Sequence, residues 1–158
     1  MAITLDGTNG ITFNNSTVQA SAGQVLQVVN ATLGAVDVNT TSTSFVTTGF
    51  SVSITPKFAS SKILLFVNGG GQYNSASGQS IWSTIYRNST NIGDATYGLS
   101  RIYAGAVLLV PHSFSIVDSP NTTSATTYTC YYRSASGLVQ FQSTDRGIIS
   151  FTAMEISQ

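Results

Sequence analysis

Apolar and polar residues alternate with a period of two along most of this chain, and Gly, Asn and Pro interrupt the alternation at short intervals. A period of two sends successive side chains to opposite faces of an extended backbone, so the pattern predicts strands and supplies no persuasive helix. Strands are expected near residues 25–29, 33–38, 44–54, 62–68, 80–88, 102–110, 113–117, 126–133, 138–142 and 148–156. Pro56 lacks the N–H a ladder needs and puts residues 55–61 in a loop. Gly69-Gly70-Gly71 and Asn74–Gly78 read as a flexible connection, Asn88–Asn91 and Ser119–Thr122 as turns, and Ser134–Gly137 as the turn of a hairpin. Many short strands with turn signals between them predict an all-β sandwich or barrel.

Several strands are apolar on both faces. Ile63, Leu65 and Val67 point one way while Leu64 and Phe66 point the other; Ile81 and Ile85 oppose Trp82 and Tyr86; the run Tyr103–Leu109 is doubled in the same way. A sandwich strand needs one apolar face. The second must be covered by a loop or another subunit, because large contiguous apolar patches are rare on monomers. An oligomer is the favoured expectation, with Leu64, Phe66, Trp82 and Tyr86 as candidate subunit-interface residues; a monomer whose loops cover these faces is the competing one.

The first residues differ from the rest. Ile3–Phe13 alternates like a strand, but Gly7 and Gly10 break it into pieces too short to join a sandwich core. Residues 1–23 are therefore expected to form an extended attachment segment, with Ile3, Leu5, Ile11 and Phe13 as anchors pairing with a partner's strands, ahead of a head domain at 24–158.

Composition sharpens this. Of 158 residues, 42% are hydrophobic and only 8% charged, against roughly a quarter charged in an average soluble domain. Solubility rests on hydroxyls and amides, and six basic against six acidic residues give a net charge of zero, which does little to prevent association. The basic residues Lys57, Lys62, Arg87, Arg101, Arg133 and Arg146 are scattered singly, so a nucleic-acid partner is not expected. Cys130 is the single cysteine, placed as a small buried hydrophobe. No cationic region followed by an apolar stretch opens the sequence, and its longest apolar run, Ala104–Val110, falls far short of the roughly 20 residues a membrane helix needs, so membrane insertion is not expected.

Candidate chemistry is sparse. His112 is the sole histidine and reads as a strand-end residue with its ring half packed. The acids share no motif, no Cys/His cluster has metal-ligand spacing, and Gly69–Gly71 lacks the Lys-Ser/Thr of a phosphate loop. Asp145-Arg146-Gly147 is a turn with a local ion pair. An enzyme is not expected, nor a metal or cofactor. Aromatic and amide groups are plentiful instead, and Tyr73, Asn74 and Tyr97 are candidate receptor contacts, since tyrosines stack on sugar faces while Asn and Ser satisfy hydroxyls.

These residues carry a resemblance. Ala2–Phe13 resembles the opening of tail-fibre and other virion structural proteins of bacteriophages, especially phages of cyanobacteria and marine bacteria. Ser60–Phe66, Asp118–Tyr128 and Ile149–Ile156 resemble the C-terminal domain of many such fibres. The resemblance implies a homotrimer with a β-sandwich head, a jelly roll similar to those of tumour-necrosis-factor and complement-like domains, located on the virion and touching host-surface glycan. Other virion proteins are the implied partners, and no catalytic residue carries over. The family's long shaft is missing here, which implies a short fibre or a capsid or baseplate decoration protein; a surface-polysaccharide depolymerase is the remaining alternative.

Overall fold

Alternation becomes structure most plainly in the head. The computed structural model describes residues 23–74 and 78–158, and of the preceding ones the backbone of three short strands, β1 (Thr4–Asp6), β2 (Gly10–Thr12) and β3 (Val18–Gln19). The head contains β4 (Val25–Leu33), β5 (Val38–Thr40), β6 (Val46–Ile54), β7 (Lys62–Asn74), β8 (Gln79–Arg87) and β9 (Thr90–Asn91). It continues with β10 (Ser100–Ala104), β11 (Leu108–Asp118), β12 (Thr126–Ser134), β13 (Val139–Gln142) and β14 (Ile149–Ile156). Every pairing is antiparallel. One sheet runs β4-β14-β7-β11, the other β6-β12-β8-β10, which is the connectivity of an eight-stranded jelly roll. The short β9 extends β8, and β13 with β5 extends the far end of β7.

The core lies between the sheets and follows the alternation strand by strand. Ile63, Leu65 and Val67 of β7, Ile149, Phe151 and Ala153 of β14, Ile81 and Ile85 of β8, and Tyr128, Cys130 and Tyr132 of β12 are all buried. Burial raises the Cys130 thiol well above its ordinary range, so it is a packing residue. Glu155 is a buried acid on the inward face of β14. Its carboxylate accepts N–H groups from Gln27, Lys57 and Phe58, and so ties the 55–61 loop to the sheet. Burial acts to raise its pKa, but hydrogen bonds from Gln27, Ser61, Lys57 and Phe58 outweigh that and hold it below the ordinary value.

Four local expectations need correction. Gly69–Gly71 lies inside β7, not in a loop. Gly69 and Gly70 have φ of +101° and +55°, and a Cβ on Gly69 would sit 2.3 Å from the Ile148 carbonyl oxygen. Only glycine lets β7 bend there, leaving β14 behind and pairing onward with β13. Second, Ser134–Gly137 carries the chain between sheets, because β12 and β13 belong to different ones. Third, the expected strand 102–110 is two strands separated by a bend at residues 105–107, and the expected strand 33–38 is the end of β4 followed by a bend into β5. Fourth, His112 is inside β11, beside a bulge between Val110 and His112, and is fully packed. At the N-terminus Leu5 and Ile11 are register partners in a three-stranded sheet of order β1-β2-β3, so this segment pairs with itself; Ile3 and Phe13 lie outside the described residues.

Candidate functional site

The outer face of the β6-β12-β8-β10 sheet concentrates cations and aromatics. β8 is the strand between β12 and β10, and the registers set Arg133 of β12 and Arg101 of β10 directly opposite Trp82. The Arg133 guanidinium lies 3.9 Å from the Trp82 ring centroid and that of Arg101 5.4 Å. Phe45 continues the row beyond Arg133 at 5.4 Å, and Tyr103 lies 5.6 Å from Arg101. Further along the same face, Tyr86 and Tyr131 stack with centroids 3.8 Å apart. Guanidinium over indole is the favourable geometry for cation–π attraction.

The loop 92–99 folds over this row. Leu99 donates its N–H to the Ser83 carbonyl at 2.8 Å, and Gly98, at φ +67°, approaches so closely that a Cβ would meet that carbonyl oxygen at 2.5 Å. Asp94 closes the loop by accepting the N–H groups of Tyr97 and Thr96, which hold its carboxyl below the usual range. Arg133 fixes the loop to β12, with Nε donating to the Thr96 carbonyl at 3.1 Å and Nη1 to the Thr43 carbonyl at 3.2 Å. Trp82 is consequently only 8% exposed, and its indole N–H has no partner among the described residues.

Arg101 is held differently. Its Nε and Nη2 donate to Ser80 Oγ at 3.1 and 3.0 Å, and its Nη1 end meets no hydrogen-bond partner among the described residues. The ion pairs of the described residues join Arg87 to Asp118 and Arg146 to Asp145, so Arg101 and Arg133 face no carboxylate there. Tyr97 and Tyr103, each 60% exposed, stand at the margins.

The outer face of the β4-β14-β7-β11 sheet is built otherwise. Register partners place Val117, Leu64, Met154 and Val28 in one row across four strands. Val117 and Val28 are 55% and 54% exposed, and Leu64 is half-buried. The next row is Ser115, half-buried Phe66, Thr152 and Asn30; the one after is Ser113, Asn68, Ser150 and Thr32. The face therefore grades from apolar to hydroxylic along its strands.

The residues expected at interfaces and contacts fall on three surfaces. Leu64 and Phe66 share the apolar-to-hydroxylic face; Trp82 and Tyr86 share the cation–aromatic face with Tyr97 nearby. Tyr73 and Asn74 are on neither. Asn74 is buried, donating to the Gln79 carbonyl, and Tyr73 packs 5.3 Å from the Arg146 guanidinium at the far end of β7, beside a small cleft bordered by Gly71, Leu109 and Pro111. Arg101 and Arg133 were missed by sequence reasoning. The available signal was that both stand at outward positions of strands whose neighbours are aromatic. The acids are engaged one by one: Asp118 with Arg87 and Tyr128, Glu155 with its loop, Asp94 within its turn and Asp37 with the Thr144 N–H. His112 donates Nε2–H to the Phe141 carbonyl at 2.7 Å, its Nδ1 is buried with no partner among the described residues, and burial pushes its pKa down to about 4. Among the described residues no group of His, Cys, Asp and Glu has metal-binding geometry, and no helix is long and apolar enough to cross a membrane.

No protein-family model matches the sequence, and neither does any curated protein. Solved structures similar in chain course include those of infectious bursal disease virus particles. A mutant VP2 protein of infectious bursal disease virus in derived T=1 particles is 16% identical with a TM-score of 0.45, over 98% of this chain and 40% of that one. The T13 particle of the same virus gives 15% identity and 0.46, over 99% and 41%, and its VP2 subviral particle 15% and 0.46, over 99% and 45%. The present chain thus spans about two fifths of the length of the first two of those chains.

Proposed function

We propose that the chain is a structural component of a phage virion: a short, fibre-like homotrimer that attaches through its N-terminal segment and presents its jelly-roll head to the host surface. The reading is structural and not enzymatic. The observation that carries it is the apolar row Val117–Leu64–Met154–Val28 on the outside of a head with almost no net charge to oppose association. A second subunit covering that row removes apolar surface from water, at about 25 cal/mol per Å² buried. The sequence resemblance to fibre heads supports the same reading; the likeness to VP2 is too distant to add to it. Attachment would use β1 and β3, the edges of the small N-terminal sheet, whose backbone groups can extend into a neighbour's strands.

A decoration protein on capsid or baseplate is the second reading, favoured by the five residues 20–24 that separate β3 from β4 and leave no room for a shaft. Copy number in a virion density map separates the two, since a decoration protein appears in numbers comparable with capsid subunits and a fibre in a few copies per tail. Removal of residues 1–23 tests attachment. The truncated head is expected to fold and to be absent from virions, and its incorporation at normal levels would refute the role given to that segment.

A further inference from the structure

We propose that the row Arg101–Trp82–Arg133, with Tyr103 beside it, is a binding site for an acidic saccharide, whose carboxylate meets Arg101 and whose ring lies on Tyr103. This rests on the host-surface reading above and names the class of ligand it would take. The chain has six basic residues, and two of them converge on one indole without a described acid to neutralise them. Their parts differ. Arg133 spends its N–H groups on the Thr96 and Thr43 carbonyls, so it supplies positive field and a rigid wall. Arg101 is anchored on its Nε/Nη2 side by Ser80 Oγ and keeps the Nη1 end for a ligand.

That leaves a guanidinium already oriented by Ser80 and by two rings, so little side-chain freedom is lost when an anion binds. A guanidinium 5.6 Å from the centroid of the exposed Tyr103 ring brings a cation and an aromatic surface together, which matches a sugar that carries a carboxylate next to an apolar ring face. A single free guanidinium is too little for a polyphosphate backbone, whose affinity depends on many cations acting together. Asp94, the acid of the covering loop, is turned onto the Thr96 and Tyr97 N–H groups and so does not compete for Arg101.

Trp82 is the only tryptophan in the chain, so its fluorescence reads this site directly. The full-length protein is titrated with tetragalacturonate, with neutral galactotetraose and with inorganic phosphate, and the heat of each titration is recorded. Tetragalacturonate is expected to give a saturable fluorescence change that weakens with added salt, and the other two none at the same concentrations. Arg101→Gln, at an exposed position, is expected to keep the circular dichroism spectrum and weaken binding at least tenfold. Absence of both fluorescence change and heat with tetragalacturonate overturns the proposal. So does equal binding by the neutral sugar, by phosphate or by the Arg101→Gln protein. Adsorption to host cells is measured in parallel. Adsorption without tetragalacturonate binding overturns this site and leaves host contact standing; binding without adsorption upholds the site and removes host contact.

Discussion

His112 is a basic group kept neutral by its surroundings. Its ring is sealed between Phe114 and Phe141, with centroids at 6.3 and 4.1 Å, and only the Phe141 carbonyl answers it. A proton on Nδ1 would bring a charge to a place with no acceptor. The folded pKa of about 4 lies below the ordinary 6.5, so between those values the unfolded chain binds more protons than the folded one. Stability is therefore expected to fall as pH drops from about 6.5 toward 4, by at most ~3 kcal/mol, and to lose nothing further from this group below that. Thermal unfolding midpoints measured from pH 7.5 to 4 check this, and His112→Gln, which can still donate to the Phe141 carbonyl, should flatten the profile in that window. The residue's inward direction was legible, because His112, Phe114 and Ile116 share one parity. Its full burial was not, because Pro111 reads as the end of a strand, whereas here it sits at a bulge where its missing N–H breaks no ladder bond.

At the scale of elements, glycine was the least legible signal. Three in a row look like a loop, yet Gly69 and Gly70 bend a continuous strand so that β7 serves two neighbours in succession. Gly69→Ala would combine an unfavourable φ with a Cβ 2.3 Å from a carbonyl oxygen. A loss of about 2–4 kcal/mol is expected, given roughly 1–3 for the backbone conformation and more for the displaced Ile148 carbonyl. Gly34→Ala, with nothing within 4 Å of the added Cβ, is the matched control and should change the urea midpoint little. Turn chemistry was similarly partial. Ser134–Gly137 announces a reversal, and Gly137 takes φ +71° to make it, but turn residues do not say which sheet receives the next strand. The turn expected at Asn88–Asn91 was readable in place but shorter than expected: residues 88 and 89 reverse the chain, and Thr90 and Asn91 already pair back onto β8 as β9.

For the molecule as a whole, the doubled apolar pattern of β7 was a legible clue to an outer sheet face that is apolar at one end. Leu64 and Phe66 do face outward, in rows that their neighbours extend across the sheet. In the trimer proposed above, Leu64→Asp and Phe66→Asp are each expected to give a monomer that keeps its fold, because neither side chain belongs to the core between the sheets; sedimentation measures the mass. Ser113→Asp, on the hydroxylic row, should leave the assembly intact, and trimers in all three variants would place the contact on another face. The cation–aromatic row was not legible. Arg101 and Arg133 are far apart in sequence, and only the order β10-β8-β12 brings them to either side of Trp82. Local pattern tells which way a side chain points, whereas strand order decides what stands next to it.

The graded outer face has a further consequence for whatever covers it. Same-face positions along a strand repeat at about 6.8 Å, so a partner displaced by one step would bring its oily stripe onto Phe66 and the Thr152 and Asn30 side chains, and by two steps onto hydroxyls and amides alone. Each step strips contact from one side and strands polar groups on the other. Two copies laid together on this face would thereby be kept from sliding along their strands, as a key cut at one depth turns only in a lock of that depth.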